Sequence, residues 1–346
     1  MLTILKKIFI KPNSISFKKV GGINQKIFFL NKLKFKFWIS AKVKIVTHGD
    51  TSLGVLKNNN IINELSFQSL NLIRKKINFN KVYQKCFFNF GFLKLKGKSL
   101  CLLQDVSTKR NYAHFILDLV TRLILVDQNS KISDYKNILV PSYKKRYEKN
   151  IFKYFKIKEN QIVDCSNIKK IYCDNLDIPD HLFWKINCNW FKSAENINSE
   201  IIKNIRKKFL TKNNREKTYK NIFLDRSDSP NNWHQIINYN EIIALLKKYN
   251  FKILKLNNME FKRQVKIFSK AKNIIGVHGA AFTNLIFCQK KTSVLELRSS
   301  RRNFEVFRSI SKINNLKYTC WVYKSKKNEN IEIDKKKLHN YIRKLN

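Results

Sequence analysis

Acidic residues are scarce in this chain of 346: 24 Asp and Glu stand against 70 Lys and Arg, a formal charge of +46. An excess of that size would suit a nucleic-acid or anionic-membrane partner. It is nearly all lysine, however, runs from end to end, and travels with abundant Asn, Ile and Phe and with only 8 Gly and 4 Pro. Such a bias is the mark of A/T-rich codons rather than of a binding stripe. No zinc-finger spacing, RNA-recognition aromatic motif or localised basic helix accompanies it, which speaks against a specific nucleic-acid partner. The charge still draws the protein toward acidic lipid headgroups and phosphorylated substrates, more strongly at low salt.

Other absences narrow the class further. The seven cysteines (Cys86, Cys101, Cys165, Cys173, Cys188, Cys288 and Cys320) form an odd set without a C-x-x-C pair, so they suggest neither a zinc site nor a disulfide framework and read as buried or incidental thiols. No run approaches the roughly 18 apolar residues of a membrane span. The segment Met1 to Ile10 lacks a signal-peptide core and a small-residue cleavage site, so a cytoplasmic protein is expected, with peripheral contact at the inner face of an anionic membrane. No internal repeat is present.

What is there is a chain long enough for two domains, with 43% hydrophobic residues to fill two cores. From residue 219 onward strand and helix patterns alternate: strands at Tyr219 to Asp225, Phe251 to Leu256, Asn273 to Val277, Val294 to Arg298 and Leu316 to Tyr323, with helices at Asn240 to Tyr249, Glu260 to Lys272, Phe304 to Asn314 and from Asp334. Asn250 is placed as a left-handed helix stop. This alternation predicts a parallel sheet with helices on both faces, a Rossmann-like domain. A G-x-G-x-x-G turn is missing, since Gly276-Val-His-Gly279-Ala-Ala has two glycines in the wrong spacing, which excludes a dinucleotide-dependent dehydrogenase.

The first half is mixed. Strands are expected at Lys81 to Phe90, Ser99 to Gln104, Lys136 to Val140 and Gln161 to Cys165, and helices at Asn111 to Val126, Tyr143 to Phe155 and Ser199 to Leu210. Lys32-Leu-Lys-Phe-Lys-Phe-Trp38 alternates with period two and suits an edge strand. The expected division is residues 1–80 without assigned structure, an α/β lobe over 81–190, a linker over 191–214 and the Rossmann-like lobe over 215–346.

Two constellations carry chemistry. In the first, the apolar strand from Asn273 breaks at His278-Gly279, and a helix is expected to open at Gly279-Ala280-Ala281. Its unpaired N–H groups would face the carboxyl end of the sheet, where such folds bind phosphate-bearing ligands. Small residues there let the backbone approach closely, and a lone carboxylate, Glu296, follows on the next strand. In the second, Asn111, His114, Asp118 and Arg122 fall within about 80° on one helix at 100° per residue, while Ile116, Leu119, Leu123 and Val126 take other faces. The bland alternative is a solvated face with Asp118 and Arg122 paired at i,i+4.

Asn111-Tyr112-x-His114 with Asp118 and Arg122, then Asp225-Arg226-Ser227, Asn238, Phe261-x-x-Gln264, His278-Gly-Ala280 with Thr283-Asn284, and Glu296, resemble glycosyltransferase family 61 in order and approximate spacing over about residues 100 to 300. The resemblance implies a GT-B-like fold, two Rossmann-like lobes facing a central cleft, with the acceptor on the first and the donor on the second. It also implies inverting transfer of a hexosyl or pentosyl group from a nucleotide sugar, UDP-linked, to a hydroxyl of a glycan or lipid-linked glycan, in surface polysaccharide biosynthesis. No cofactor is expected. The chain has no Asp-x-Asp triplet, so a metal-free site is expected, in which backbone N–H groups and cations stabilise the leaving diphosphate.

With that family in mind, Arg226, His278, Gly279, Ala280 and Asn284 are assigned to the donor, and Glu296 to the ribose hydroxyls; the bland alternatives are an ordinary surface cation for Arg226, a structural histidine for His278 and a structural ion pair with a lysine for Glu296. His114, oriented by Asp118, is the candidate base. Asn111, Arg122 and Gln264 support the site, Gln264 as a satisfied buried amide; Arg122 either organises its stripe or reaches the diphosphate. The chain departs from the family pattern at Trp233-His234-Gln235, where a cation and a carboxylate are missing, at Ala281, which replaces a glycine, and at Gln289 to Thr292, which replace a Pro-Pro-Gly turn. The rival class is a non-enzymatic basic protein that binds nucleic acid or anionic membrane.

Overall fold

The computed structural model describes residues 23–30, 33–48, 52–58, 60–62, 65–68, 91–103, 111–167, 170–179, 197–210, 219–229, 232–302 and 305–345. The expected strand at Lys81 to Phe90 lies outside them. The described residues fall into two compact units that interleave along the chain: one takes them from 1–110, 125–143 and 155–182, the other from 111–124, 144–154 and 183–346. Two helical segments inside the expected first lobe therefore pack with the second unit.

The first unit holds a mixed sheet. β1 (Asn24–Leu30), β2 (Leu33–His48), β3 (Ser52–Lys57), β4 (Asn60–Ile61) and β5 (Phe67–Gln68) pair antiparallel. β6 (Leu93–Cys101), β7 (Asn137–Val140), β8 (Ile162–Asp164) and β9 (Lys170–Pro179) run parallel to their neighbours, and β9 joins β2 antiparallel. The period-two segment is a strand, as expected, but not an edge: Phe37 and Trp38 pair with Lys26 and Gln25 of β1 on one side and with Pro179 and Ile178 of β9 on the other. Burial decides this, because Phe37, Val43 and Ile45 belong to the sheet's covered face and are almost fully buried. Cys101, Cys165 and Cys173 form no disulfide and are buried in the same core. Burial, then the neighbouring Cys101, pushes the Cys173 thiol up to about 12.

The second unit is built on a parallel sheet, β10 (Tyr219–Leu224), β11 (Lys252–Leu254), β12 (Ala271–Val277), β13 (Ser293–Ser299) and β14 (Lys317–Tyr323), in the order β11-β10-β12-β13-β14. Ile274 to Val277 and Val294 to Leu297 are buried along their whole length, which is why these strands read as continuous apolar runs rather than alternations. Helices at Tyr239–Lys248, Phe261–Lys270 and Val306–Ile313 lie in the connections, and one at Lys335–Arg343 follows β14. Asn250 at φ 56 ends the first of them in the expected left-handed conformation. The order places the topological switch point between β10 and β12, the two strands whose connections leave in opposite directions along the sheet.

Residues 112–129 form one helix, but not a uniform one. Tyr112–His114 and Thr121–Asn129 are α-helical, while Phe115–Val120 is a π-helix. Its wider turn breaks the constant 100° step on which the polar stripe was drawn. No helix of the described residues is long and apolar enough to cross a membrane.

Candidate active site

At the switch point, β10 ends in Leu224 and runs into Asp225-Arg226, and β12 ends in Val277 and runs into His278-Gly279. The two strands approach closely because position 276 has no side chain: a Cβ on Gly276 would lie 2.7 Å from the Cβ of Leu224. Asp225 locks the first strand end. One of its oxygens accepts the Ser227 N–H, and the other the Ser227 and Tyr239 hydroxyls, all at 2.9 Å. The Ser229 N–H then bonds back to the Arg226 carbonyl at 2.9 Å and closes the turn.

Arg226 ties the two strand ends together, its Nη1 donating to the His278 carbonyl at 2.5 Å. The guanidinium occupies the place a side chain would take at position 279, where a Cβ would fall 1.5 Å from Nη1. Gly279 has φ 168, extended backbone open to any residue, so the demand at this position is for space alone. The expectation that the small residue admits a ligand is thus corrected: the room is filled by Arg226. Ala280 starts a 3₁₀-helix, Ala280–Phe287, rather than an α-helix, and Ala280 and Ala281 line the neighbouring cavity.

His278 is held by Glu296. Its Nδ1 pairs with Oε1 of that carboxylate, whose Oε2 accepts the Tyr318 hydroxyl. Glu296 is fully buried and both its oxygens serve the protein, so the ribose-binding role expected for it does not fit; it orients the imidazole instead. Burial, then the Glu296 charge beside it, raises the Tyr318 phenol far above its ordinary value.

Arg302 and His234 were missed by the sequence reading. Arg302 lies just past β13 and binds Glu329 through Nε at 2.6 Å, with its Nη2 3.5 Å from His234 Nε2. His234 Nδ1 lies 3.7 Å from the same carboxylate. The loops that carry His234 and Glu329 are zipped together by His234 N–H to Asn328 and Ile331 N–H to Gln235, both 3.0 Å. Both residues adopt left-handed backbone, φ 59 and 55, a conformation that costs non-glycine residues energy and persists where the surroundings impose it. Burial, then Arg226 and Arg302, holds the His234 imidazole down at about 4. Burial, then Arg302, likewise lowers Arg226, with Asp228 acting the other way. The turn with the missing family cation thus has an arginine supplied from the β13 end. The available signal was an arginine pair directly after a strand in a chain whose cations are mostly lysine.

The remaining expected residues divide. A cavity of about 200 Å³ is lined by, among others, Tyr112, Tyr147, Arg226, Asp228, Gln264 and Ala280. Gln264 is the expected satisfied amide: it donates to the Met259 carbonyl and accepts from Asn284, both at 3.0 Å. Asn284 is fully buried, accepts from Tyr112 at 2.7 Å and is not among the lining residues, so it braces the wall rather than meeting a ligand. Asn111 caps its helix, accepting from the Ala113 N–H at 2.9 Å. His114 and Asp118 do not line the cavity either. The stripe is not a solvated face: the Asp118 and Arg122 side chains are 3% and 0% exposed and pair at 3.1 Å inside the unit. The Asp118 carboxylate is turned to Arg122, and His114 is buried at 9% exposure.

Segments that follow β10, β12 and β13 thus gather Arg226, His234, His278 and Arg302 at the switch point of a parallel sheet, the place where α/β folds of this class carry their ligand sites. The family model of Glycosyltransferase 61 matches residues 112–295, just over half of the chain, and the protein belongs to that family. A glycosyltransferase activity, with a nucleotide-sugar donor and a glycan acceptor, follows from the membership. No curated protein matches the chain.

Proposed function

We propose that this glycosyltransferase, GT-B in type, moves a hexosyl or pentosyl group with inversion from a UDP-linked sugar to a hydroxyl of a glycan or lipid-linked glycan, in surface polysaccharide biosynthesis. The observation that carries this is the Arg226 bridge between the two strand ends of the switch point, with Arg302, His234 and His278 around it. Departure of a diphosphate leaves negative charge on its terminal oxygens, and preorganised donors in a partly buried site stabilise that charge as it develops. Arg226 and Arg302 provide forked donors for phosphate oxygens, and the N–H groups opening the 3₁₀-helix at Ala280 add to them. With these cations the reaction runs without a divalent metal. The protein works in the cytoplasm, where its lysine surplus favours contact with the anionic inner face of the membrane.

Thermal unfolding of the full chain in the presence of UDP and a panel of UDP-sugars tests this. A ligand bound only by the folded state at a hundred times its Kd contributes about 2.7 kcal/mol, a rise of several degrees. The shift is expected with EDTA present and is expected to vanish in Arg226→Ala. No shift from any nucleotide or nucleotide sugar refutes the proposal.

A further inference from the structure

We propose that Asp228 is the catalytic base that takes the proton of the acceptor hydroxyl; this rests on the transfer reaction proposed above. Inversion in one displacement needs a proton acceptor within hydrogen-bond reach of the attacking oxygen. Among the described residues that line the cavity, two carry carboxylates, Asp225 and Asp228. The tyrosines there are unsuited, because burial raises the Tyr112 and Tyr147 phenols far above the neutral range. Asp225 is 6% exposed and both its oxygens accept bonds from Ser227 and Tyr239, so its work is to hold the turn. Asp228 is exposed and opens on the cavity.

Its position fits the role. Asp228 sits in the turn closed by the Ser229 N–H to Arg226 carbonyl bond, and its charge acts on the Arg226 guanidinium. One short turn therefore carries a carboxylate for the nucleophile and a cation for the leaving group, on backbone held by the Asp225 and Ser229 hydrogen bonds. In the step, the acceptor O–H bond breaks and its proton goes to an Asp228 oxygen. The acceptor oxygen forms a bond to the anomeric carbon from the side opposite the diphosphate. The bond from that carbon to the phosphate oxygen breaks, and its electron pair leaves with the nucleoside diphosphate. The products are the glycoside, the diphosphate and a protonated Asp228, which returns its proton to water.

The test uses the full chain and the UDP-sugar that gives the largest thermal shift, with release of UDP as the readout and water as acceptor. Asp228→Asn is expected to lower kcat roughly 100- to 10,000-fold, the range of a lost general base. UDP binding should stay within threefold, and the acid limb of the pH–kcat profile should disappear. Azide, a nucleophile with no proton to lose, should restore turnover in Asp228→Asn, and Asp228→Glu should keep the acid limb. A kcat within threefold of wild type overturns the proposal. So does a raised KM with kcat and acid limb retained, which would make Asp228 a ligand of sugar hydroxyls. If the wild-type chain releases UDP from no UDP-sugar, the transfer reaction falls with it; if it does so and Asp228→Asn matches it, only the assignment of the base falls.

Discussion

A methyl group at position 279 offers a way to move Arg226 without touching it. The backbone there, at φ 168, accepts alanine, but the new Cβ would stand 1.5 Å from Arg226 Nη1 and 2.6 Å from its Cζ. Carbon and nitrogen settle at about 3.5 Å, so the guanidinium must retreat by roughly 2 Å and give up its bond to the His278 carbonyl. A hydrogen bond to a charged group contributes about 1.5–3 kcal/mol. If Arg226 spends that much on the diphosphate, Gly279→Ala weakens UDP binding by roughly 10- to 150-fold. Fold stability should fall by about 1.5–3 kcal/mol, the worth of the lost charged bond. Titration calorimetry with UDP measures the first quantity and urea denaturation the second. The decisive comparison is with Arg226→Ala. Once the guanidinium is gone the added methyl has nothing to displace, so the double variant should bind UDP as Arg226→Ala does. Unchanged UDP affinity in folded Gly279→Ala refutes the reasoning, and so does an equal loss in both backgrounds, which would mean that the methyl meets the ligand directly.

Two further outcomes follow from the burial of charge. Arg122→Met leaves the Asp118 carboxylate buried without its guanidinium and should cost about 3–5 kcal/mol, a melting temperature lower by roughly 6–20 °C, whereas Asp118→Leu combined with Arg122→Met should cost much less. His234 is held at about 4 in the folded protein against an ordinary 6.5, so between those values the unfolded chain binds the extra proton. Stability is therefore lost as pH falls from 6.5 toward 4, with a slope of up to about 1.4 kcal/mol per pH unit, and His234→Gln should flatten that stretch of a denaturation profile.

The second unit was legible because parallel strands buried on both faces leave unbroken apolar runs, and Asn250, Asp334 and His278 mark their boundaries at short range. The carboxyl edge of the sheet followed from that alternation, and Arg226 and His278 lie on it; the strand order that makes it a switch point was not legible. The polar stripe misled for a local reason: six residues of π-helix after His114 cannot be seen in a pattern drawn at a fixed angle, and a buried Asp118–Arg122 pair has the same spacing as a solvated one. Glu296 looked like a ligand for hydroxyls because Tyr318, which occupies it, comes from the following strand. Arg302, His234 and Glu329 are separated by up to 95 positions in the chain and meet only because three strand ends share one edge of the sheet. The strand pairings of β1 to β5 were not legible, since alternation identifies a strand but not its partners.

The interleaved boundaries set an order of assembly during synthesis. Residues 111–124 and 144–154 belong with partners found after residue 183, among them Asn284 for Tyr112 and Asn150's own partner Phe261. At about 5–20 residues per second, a ribosome needs on the order of 10–30 s to make that partner chain. For that time an apolar helix that begins at Tyr112 has left the exit tunnel without the surface that covers it, which makes this stretch the natural target for a holding chaperone.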